Sequence, residues 1–164
     1  MTIYWITGLP GSGKTTLARI IHEKLQAEGK SSIHLDGDEL RKTFQNLFGY
    51  SRSDRINLGN IYIDLAILLA TQGLNVVVST VSMFSEIHER IEIVKTKHEF
   101  KVIWIDASSE LLDKRNQKNL REYSVVNSPG ITLEINCPTT WDLKLTGEEK
   151  EEALSEILKV LISC

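Results

Sequence analysis

The sequence predicts an α/β fold with three layers, in which a parallel sheet of about five strands has helices on both faces. Segments of strand character alternate five times with segments of helical periodicity along the 164 residues. The run 75–79 holds three consecutive valines without polar alternation, which is typical of a parallel strand buried on both faces. A glycine-rich loop joins the first strand to the first helix, where such sheets bind their ligands.

The individual elements follow from hydrophobic periodicity and from helix start and stop signals. The predicted strands cover residues 3–7, 32–35, 75–79, 101–105 and 142–145. The predicted helices lie between the loop and Gly29, over 39–48, between Ser51 or Ser53 and Gly73, over 84–96 and 108–116, and after a capping box formed by Thr146 and Glu149. The apolar face of the longest helix is expected to consist of Leu58, Ile61, Tyr62, Leu65, Leu68 and Leu69.

Bulk properties narrow the class of protein. The length predicts one domain over 1–164, in which the aperiodic stretch 117–140 is either a slack surface loop or, as we favour, a lid that closes over nucleotide. A net charge of −3 argues against a nucleic-acid partner. The first strand begins almost at Met1, no apolar run has the length of a membrane span, and two cysteines make no disulfide framework. We therefore expect a cytoplasmic protein without membrane association.

The loop Gly8-Leu9-Pro10-Gly11-Ser12-Gly13-Lys14-Thr15-Thr16 satisfies the phosphate-binding pattern G-x-x-x-x-G-K-[ST]. Glycines let successive N–H groups face one anion, and the following helix contributes its positive end. Lys14 is expected to reach the β- and γ-phosphates, and the Thr15 hydroxyl is expected to bind Mg²⁺. The residues predicted to bind ATP are Gly8, Gly11, Ser12, Gly13, Lys14, Thr15 and Thr16.

Two carboxylates separated by one glycine follow the second strand, at Asp36 and Asp38. Strand ends in a parallel sheet lie beside the phosphate loop, so both side chains are expected near the transferred phosphoryl group. One could orient or deprotonate an acceptor hydroxyl while the other supports Mg²⁺. The alternative is a solvated turn, since Asp-Gly is a common turn dipeptide.

Arginines farther along indicate an anionic acceptor. Arg41 lies three residues beyond Asp38, and Arg55 ends the segment Gly49-Tyr50-Ser51-Arg52-Ser53-Asp54-Arg55. Bidentate contacts from two arginines suit a substrate with its own phosphate or sulfate, whereas Arg52 is expected to be an ordinary surface charge. Tyr50 is either a platform for a base or a half-buried core residue. None of the four histidines has metal-ligand spacing, and His22 and His34 are expected on helix and strand surfaces.

Four ordered motifs resemble those of adenylylsulfate kinases, a family of P-loop kinases. The motifs are Gly8–Thr16, Leu35-Asp36-Gly37-Asp38-x-x-Arg41, Gly49-Tyr50-Ser51-x-x-Asp54-Arg55 and Val81-Ser82-Met83-Phe84, within a resemblance that extends over residues 3–106 and more weakly beyond. The resemblance implies transfer of the ATP γ-phosphate to the ribose 3′-hydroxyl of adenylyl sulfate. It also suggests a homodimer.

The same resemblance assigns site residues. Asp36 is then the catalytic carboxylate, and Lys14 is a second catalytic residue. Thr15 and Asp36 would hold Mg²⁺. Arg115 and Lys118 match lid positions that contact phosphate, Arg115 as a catalytic arginine. The acceptor nucleotide would be held by Asp38, Arg41, Tyr50, Arg55 and Ser82, together with Lys118.

The chain departs from the family pattern on the acceptor side. Leu58 stands where the family usually has Asn, and Met83-Phe84-Ser85 replaces Pro, an aromatic residue and Arg. The lid reads Arg115-Asn116-Gln117-Lys118-Asn119-Leu120-Arg121, without the family's Pro and Gly. The loop that binds ATP is intact. The reaction type is therefore better defined than the acceptor.

Three hypotheses follow. The leading one is an ATP- and Mg²⁺-dependent kinase acting on the 3′-hydroxyl of a small nucleotide, with adenylyl sulfate as the acceptor typical of the family. The second keeps the reaction and changes the acceptor to cytidine diphosphoramidate, as in relatives that serve capsule or surface-sugar pathways. The third, a nucleotide-binding regulatory module, is disfavoured because the third strand ends in Val78-Ser79-Thr80 without a switch carboxylate.

Overall fold

The computed structural model describes residues 1–45, 47–116, 129–130 and 132–163. Its five strands are β1 (Ile3–Gly8), β2 (Ser32–Asp36), β3 (Asn75–Ser79), β4 (Phe100–Ile105) and β5 (Leu143–Leu145). All pairs are parallel, and the strand order is β2-β3-β1-β4-β5. The predicted α/β fold with a five-strand parallel sheet is confirmed.

In the described part of the chain, six helices accompany the sheet: α1 (Lys14–Ala27), α2 (Gly37–Thr43), α3 (Arg52–Thr71), α4 (Ser85–Lys95), α5 (Ser109–Asn116) and α6 (Glu151–Ser163). The apolar residues of α1 and α6 pack on one face of the sheet, and those of α3 and α4 pack on the other. The central strands β1 and β3 are buried along their whole length, as their unbroken apolar sequences predict. This is the predicted three-layer arrangement.

Helix boundaries differ from the sequence prediction where a side chain caps the first turn. The helix predicted over 39–48 runs from Gly37 to Thr43 instead, so its predicted end was wrong. It begins at Gly37 because the Asp36 carboxylate accepts hydrogen bonds from the backbone N–H groups of Asp38 and Glu39. Ser51, one of the two predicted caps, accepts a hydrogen bond from the N–H of Asp54 and begins α3. Both caps lie beside the cleft described below.

Two expectations were wrong in detail. Leu68, assigned to the buried face of α3, is 54% exposed, whereas Ile63 and Ala66 are fully buried. The sequence of α3 is apolar from Leu65 to Ala70, so its periodicity does not single out one face. Glu149 accepts hydrogen bonds from the backbone and hydroxyl of Thr146, but this contact closes a turn, and α6 begins only at Glu151.

The strand register places the carboxyl ends of β1, β2 and β3 side by side. Ser79 lies opposite Ile6 of β1 on one side and opposite Asp36 of β2 on the other. The phosphate loop leaves β1 two residues later, so the loop and the Asp36 carboxylate share one sheet edge. No helix in the described part of the chain has the length and apolar character needed to cross a bilayer.

Gly8→Ala is predicted to destabilise the protein because the new Cβ would lie 2.6 Å from the backbone carbonyl oxygen of Ile105 and 2.9 Å from the Ser12 Oγ. A backbone atom cannot move aside cheaply, so we expect a loss of about 2–3 kcal/mol in the free energy of unfolding, measured in urea.

Gly29→Ala is the matched control. Gly29 has a φ of +73° but no heavy atom within 4 Å of an added Cβ. Only the left-handed backbone is penalised there, which costs about 1 kcal/mol. Equal losses at the two positions would contradict the proposed steric origin.

Candidate active site

The phosphate loop curves between β1 and the first turn of α1. Gly13 is the N-cap of α1 and has a φ of +104°, a conformation that favours glycine. It supplies no side chain to the N–H groups of the first turn, and α1 has no acidic residue there. The positive end of α1 therefore faces the cleft without a competing carboxylate from its own first turn.

Lys14 lies at the start of α1 with its ammonium group turned over the loop. Its Nζ donates a hydrogen bond to the carbonyl oxygen of Leu9 at 2.7 Å. Burial lowers the pKa of Lys14 to about 8, although the negative charges of Asp38 and Asp36 act in the opposite direction. Anionic phosphate oxygens near this group would favour its charged form further.

Asp36 is the most densely hydrogen-bonded carboxylate at this sheet edge. Its Oδ2 accepts hydrogen bonds from the Thr15 hydroxyl and the Ser79 hydroxyl, both at 2.8 Å. Its Oδ1 accepts from the backbone N–H groups of Asp38 at 3.0 Å and Glu39 at 3.4 Å. Burial alone would raise the pKa of Asp36, but these hydrogen bonds outweigh it and hold the pKa below its usual value.

The pair Thr15 and Asp36 fits the requirements of a P-loop magnesium site. A hydroxyl oxygen and a carboxylate oxygen lie 2.8 Å apart, and oxygen ligands are those that Mg²⁺ prefers. Such sites use one or two protein ligands, with phosphates and waters completing the coordination. No cluster of three or more His, Cys, Asp or Glu residues with metal-ligand geometry occurs among the described residues.

Arg41, Tyr50 and Arg55 form a second group across the cleft. The guanidinium carbons of Arg41 and Arg55 lie 4.5 Å and 5.4 Å from the centroid of the Tyr50 ring. Arg41 also donates to the carbonyl oxygens of Phe48 and Gly49, and Arg55 donates to the carbonyl oxygen of Tyr50. Tyr50 is 52% exposed, so the alternative of a core tyrosine is wrong.

The two arginines of this group raise the local positive potential. Burial lowers the pKa of Arg55, and the neighbouring charge of Arg41 lowers it further. An anion placed between them would relieve this repulsion. Arg52, in contrast, makes a bidentate ion pair with Glu86 at 2.6 and 2.9 Å and takes no part in the group, as its assignment as a surface charge predicts.

Ser82 and Arg115 also reach the cleft through defined contacts. Ser82 is 6% exposed, and its hydroxyl shares a 2.9 Å hydrogen bond with Thr80. Arg115 donates to the carbonyl oxygens of Gly11 at 3.2 Å, Ser12 at 2.9 Å and Gly147 at 2.7 Å. It thereby joins the phosphate loop to the turn before α6.

One cleft of about 1580 Å³ joins the two groups. Pockets for a single drug-sized ligand measure roughly 300–1000 Å³, so this cleft has room for two nucleotides. The predicted site residues that line it are Gly11, Ser12, Gly13, Lys14, Thr15, Thr16, Asp36, Asp38, Arg41, Tyr50, Arg55, Ser82 and Arg115. Gly8 lies beneath the loop in β1, and Lys118 lies outside the described residues.

The predicted lid is described only at its end, since 117–128 and 131 lie outside the described residues. An added Cβ on Gly130 would lie 2.7 Å from the Leu9 side chain of the phosphate loop. Asn136 hydrogen-bonds to the carbonyl oxygen of Met83 and to the N–H of Ser85. The segment that ends the predicted lid therefore contacts both the ATP side and the Ser82 side of the cleft.

Sequence reasoning missed three polar residues beside Asp36. Ser79 donates to the carboxylate itself, and Tyr62 donates to the carbonyl oxygen of Gly37 at 2.8 Å. His34 was expected on the surface but is partly buried, and its Nε2 lies 2.9 Å from the Ser79 hydroxyl. The signal for Ser79 was its place at the carboxyl end of a buried strand, directly after three valines.

Comparison with known proteins gives the family. The sequence matches the family described as adenylylsulphate kinase over residues 1–146. It is 35% identical to the cytidine diphosphoramidate kinase of Campylobacter jejuni subsp. jejuni serotype O:2, over 97% of this chain and 95% of that protein. It is 32% identical to the adenylyl-sulfate kinase of Picosynechococcus sp., over 96% of this chain and 91% of that protein.

A solved structure shows the same architecture. The Mycobacterium tuberculosis APS kinase CysC, determined in complex with AMPPNP and APS, superposes with a TM-score of 0.87 at 28% identity. The superposition covers 98% of this chain and 97% of that one. The family match, the relatives and the fold agree, and the chain belongs to the adenylylsulphate kinase family and is a P-loop kinase.

Proposed function

We propose that the protein transfers the γ-phosphate of ATP to the 3′-hydroxyl of a small anionic nucleotide, with adenylyl sulfate as the acceptor typical of its family. The observation that carries the proposal is the cleft that joins the phosphate loop to the group Arg41, Tyr50 and Arg55. The first end has the features of a triphosphate site. The second end offers an exposed aromatic ring and two cationic side chains, which suit a base and its phosphate or sulfate.

Cytidine diphosphoramidate is the second candidate acceptor. The Campylobacter jejuni relative, which is named for its action on this compound, matches this chain over almost its whole length. Leu58, which replaces the Asn usual in the family, is buried and lines the cleft. An apolar side chain at that position makes no hydrogen bond to a base or a sulfate, which supports an acceptor that differs from adenylyl sulfate.

In the proposed reaction, the loop N–H groups and Lys14 hold the β- and γ-phosphates while Thr15 and Asp36 hold Mg²⁺. Bound Mg²⁺ would neutralise charge on the phosphate oxygens. The lowered pKa of Asp36 and its four accepted hydrogen bonds support this metal role over proton abstraction. Asp38, which faces the same cleft, is then the carboxylate that orients the acceptor hydroxyl.

We propose that Ser82 contacts the acceptor and that Arg115 acts by positioning the phosphate loop. The three carbonyl oxygens that Arg115 contacts belong to the loop and to the turn at Gly147. A direct contact of Arg115 with the transferred phosphoryl group would require the guanidinium to leave these partners. The homodimer and the contact of Lys118 with phosphate stay predictions.

An acceptor screen tests the proposed reaction. The purified protein is mixed with ATP, Mg²⁺ and one acceptor, either adenylyl sulfate, cytidine diphosphoramidate or a set of sugars, and ADP formation is measured. We expect turnover with a nucleotide acceptor and a 3′-phosphorylated product by ³¹P NMR. Lys14→Ala should lower the turnover by at least about 100-fold because a charge that develops on the phosphates loses its partner.

The control for this screen is the folding of Lys14→Ala, followed by circular dichroism. Retained turnover in a folded Lys14→Ala variant would contradict the role of the loop. Turnover with sugars alone would contradict a nucleotide acceptor.

Arg55→Leu is predicted to weaken acceptor binding selectively. A hydrogen bond or ion pair to a charged group contributes about 1.5–3 kcal/mol, so the KM for the acceptor should rise roughly 10- to 100-fold while the KM for ATP changes little. Initial rates at varied concentrations of each substrate measure both constants.

Arg52→Leu is the matched control for Arg55→Leu, since it removes an arginine from the same helix whose partner, Glu86, lies outside the cleft lining. We expect no change in either KM. A parallel rise in the KM for ATP in Arg55→Leu would argue against an acceptor site at Arg55.

Arg115→Met is predicted to weaken binding of a non-hydrolysable ATP analogue about tenfold, because the loop loses a charged donor to three carbonyl oxygens. Calorimetry measures this affinity without turnover. Arg90→Met, which removes an arginine paired with Asp64 away from the cleft, is the control. Unchanged affinity with a lowered kcat would instead assign Arg115 to the transferred phosphoryl group.

A further inference from the structure

A continuous chain of hydrogen bonds runs from β2 across β3 to the phosphate loop. His34 Nε2 lies 2.9 Å from the Ser79 Oγ, the Ser79 Oγ lies 2.8 Å from the Asp36 Oδ2, and the same oxygen lies 2.8 Å from the Thr15 Oγ1. The strand register makes this possible. His34 and Asp36 are two residues apart and share one face of β2, and Ser79 lies opposite Asp36 in β3.

The number of protons in this chain fixes its direction. The Ser79 hydroxyl has a single proton, and the Asp36 carboxylate can only accept. Because the charged carboxylate is the stronger acceptor, the Ser79 proton points to Asp36. The contact between His34 and Ser79 then needs its proton from the ring, so Nε2 carries hydrogen and donates. This holds whether the imidazole is neutral or charged.

Ser79 lies at the wall of the cleft but is almost inaccessible to solvent, since the residue is only 3% exposed. Without His34, its oxygen would lose the hydrogen bond it accepts, and the hydroxyl would be held only at its donor end. Hydrogen bonds in such chains strengthen one another, so the contact with Asp36 would weaken as well.

We infer that His34 is a positioning residue, which acts through Ser79 to fix the Asp36 carboxylate against Thr15 and so prepares the oxygens for Mg²⁺. The inference rests on the proposed function in one respect, the assignment of Thr15 and Asp36 to Mg²⁺. Partners that orient a ligating carboxylate typically change metal affinity or activity about 10- to 100-fold when they are removed.

The first test measures nucleotide binding by the full chain without any acceptor. Calorimetry gives the affinity for ADP in the presence of Mg²⁺ and in the presence of a chelator. The ratio of these two affinities measures how strongly the bound metal contributes to nucleotide binding. We expect His34→Leu and Ser79→Ala each to reduce this ratio about tenfold. His34→Gln keeps an N–H donor on a side chain of similar reach and should preserve most of the ratio.

His22→Leu is the matched control. His22 also faces β2 from α1, where its Nδ1 lies 2.9 Å from the Ser32 Oγ, but this pair does not extend to Asp36. We expect the ratio to remain that of the wild type. An equal loss in His22→Leu would mean that any histidine on this face affects the site through stability, and it would overturn the inference.

The double variant His34→Leu/Ser79→Ala separates a relay from two independent effects. If His34 acts through Ser79, replacing His34 has no further effect once Ser79 is alanine, and the double variant has the same ratio as Ser79→Ala. Additive losses would overturn the relay. Thermal unfolding of each variant shows whether the ratio changes in proteins of unchanged stability.

The second test needs neither metal nor nucleotide. Long-range ¹H–¹⁵N NMR of the histidine side chains distinguishes a protonated Nε2 from a bare one. We expect a proton on the His34 Nε2 in the wild type. A neutral His34 ring with hydrogen on Nδ1 alone would overturn the inference.

The outcomes also separate this inference from the proposed function. Failure of every nucleotide acceptor in the screen would refute the proposed reaction, but the ADP-binding test and the NMR test could still be interpreted. A wild-type protein whose ADP affinity does not respond to Mg²⁺ would overturn the metal assignment and this inference with it.

Discussion

The hydrogen bonds accepted by the Asp36 carboxylate are the interactions on which the rest of the site depends. It caps α2 by accepting hydrogen bonds from two backbone N–H groups, and it also accepts hydrogen bonds from the Thr15 and Ser79 hydroxyls. One side chain thereby sets the direction in which α2 leaves the sheet and the position of the first turn of α1. These contacts satisfy the carboxylate after burial, since an unpartnered charge at this depth would be costly.

The orientation of α2 in turn determines where the group of Arg41, Tyr50 and Arg55 lies. Arg41 is near the end of α2, and its guanidinium reaches the carbonyl oxygens of Phe48 and Gly49 in the connection to α3. Those contacts hold Tyr50 beneath Arg41, and the Ser51 cap begins α3 so that Arg55 comes to the same ring. The positions of these three residues therefore follow from Asp36 through two helices in turn, each begun by a side-chain cap.

The fold and the ends of the cleft could be predicted because local sequence rules determine them. Unbroken apolar runs identified β1 and β3, and the spacing of glycines and Lys14 identified the loop. His34 and Ser79 could not be paired from sequence alone. Their contact depends on the register between β2 and β3, and a shift of one residue would turn His34 to the opposite face.

Arg115 shows a different limit of sequence reasoning. A motif assigns it to the lid but does not specify the direction of its side chain. In the structure its guanidinium donates hydrogen bonds to carbonyl oxygens of the loop and of Gly147, which lies 32 residues farther along the chain. Long side chains with several donors select partners by tertiary packing, which no local pattern encodes.

The sequence departs from the family motifs at Leu58 and at Met83-Phe84-Ser85, on the side of the cleft proposed to bind the acceptor. Leu58 is buried beneath the cleft, and Gly59 beside it packs so closely that an added Cβ would lie 2.8 Å from Ile87 and 3.2 Å from the Ser82 hydroxyl. Met83 and Phe84 are buried as well, and Ser85, which stands where the family has arginine, is uncharged. Among the described residues proposed to bind the acceptor, the positive charge is then supplied by Arg41 and Arg55, whose guanidinium carbons lie 4.5 Å and 5.4 Å from the centroid of the Tyr50 ring. If the proposed acceptor binds at these arginines, the site would select acceptors by the position of their anionic group relative to the base, and less by polar contacts to the base itself.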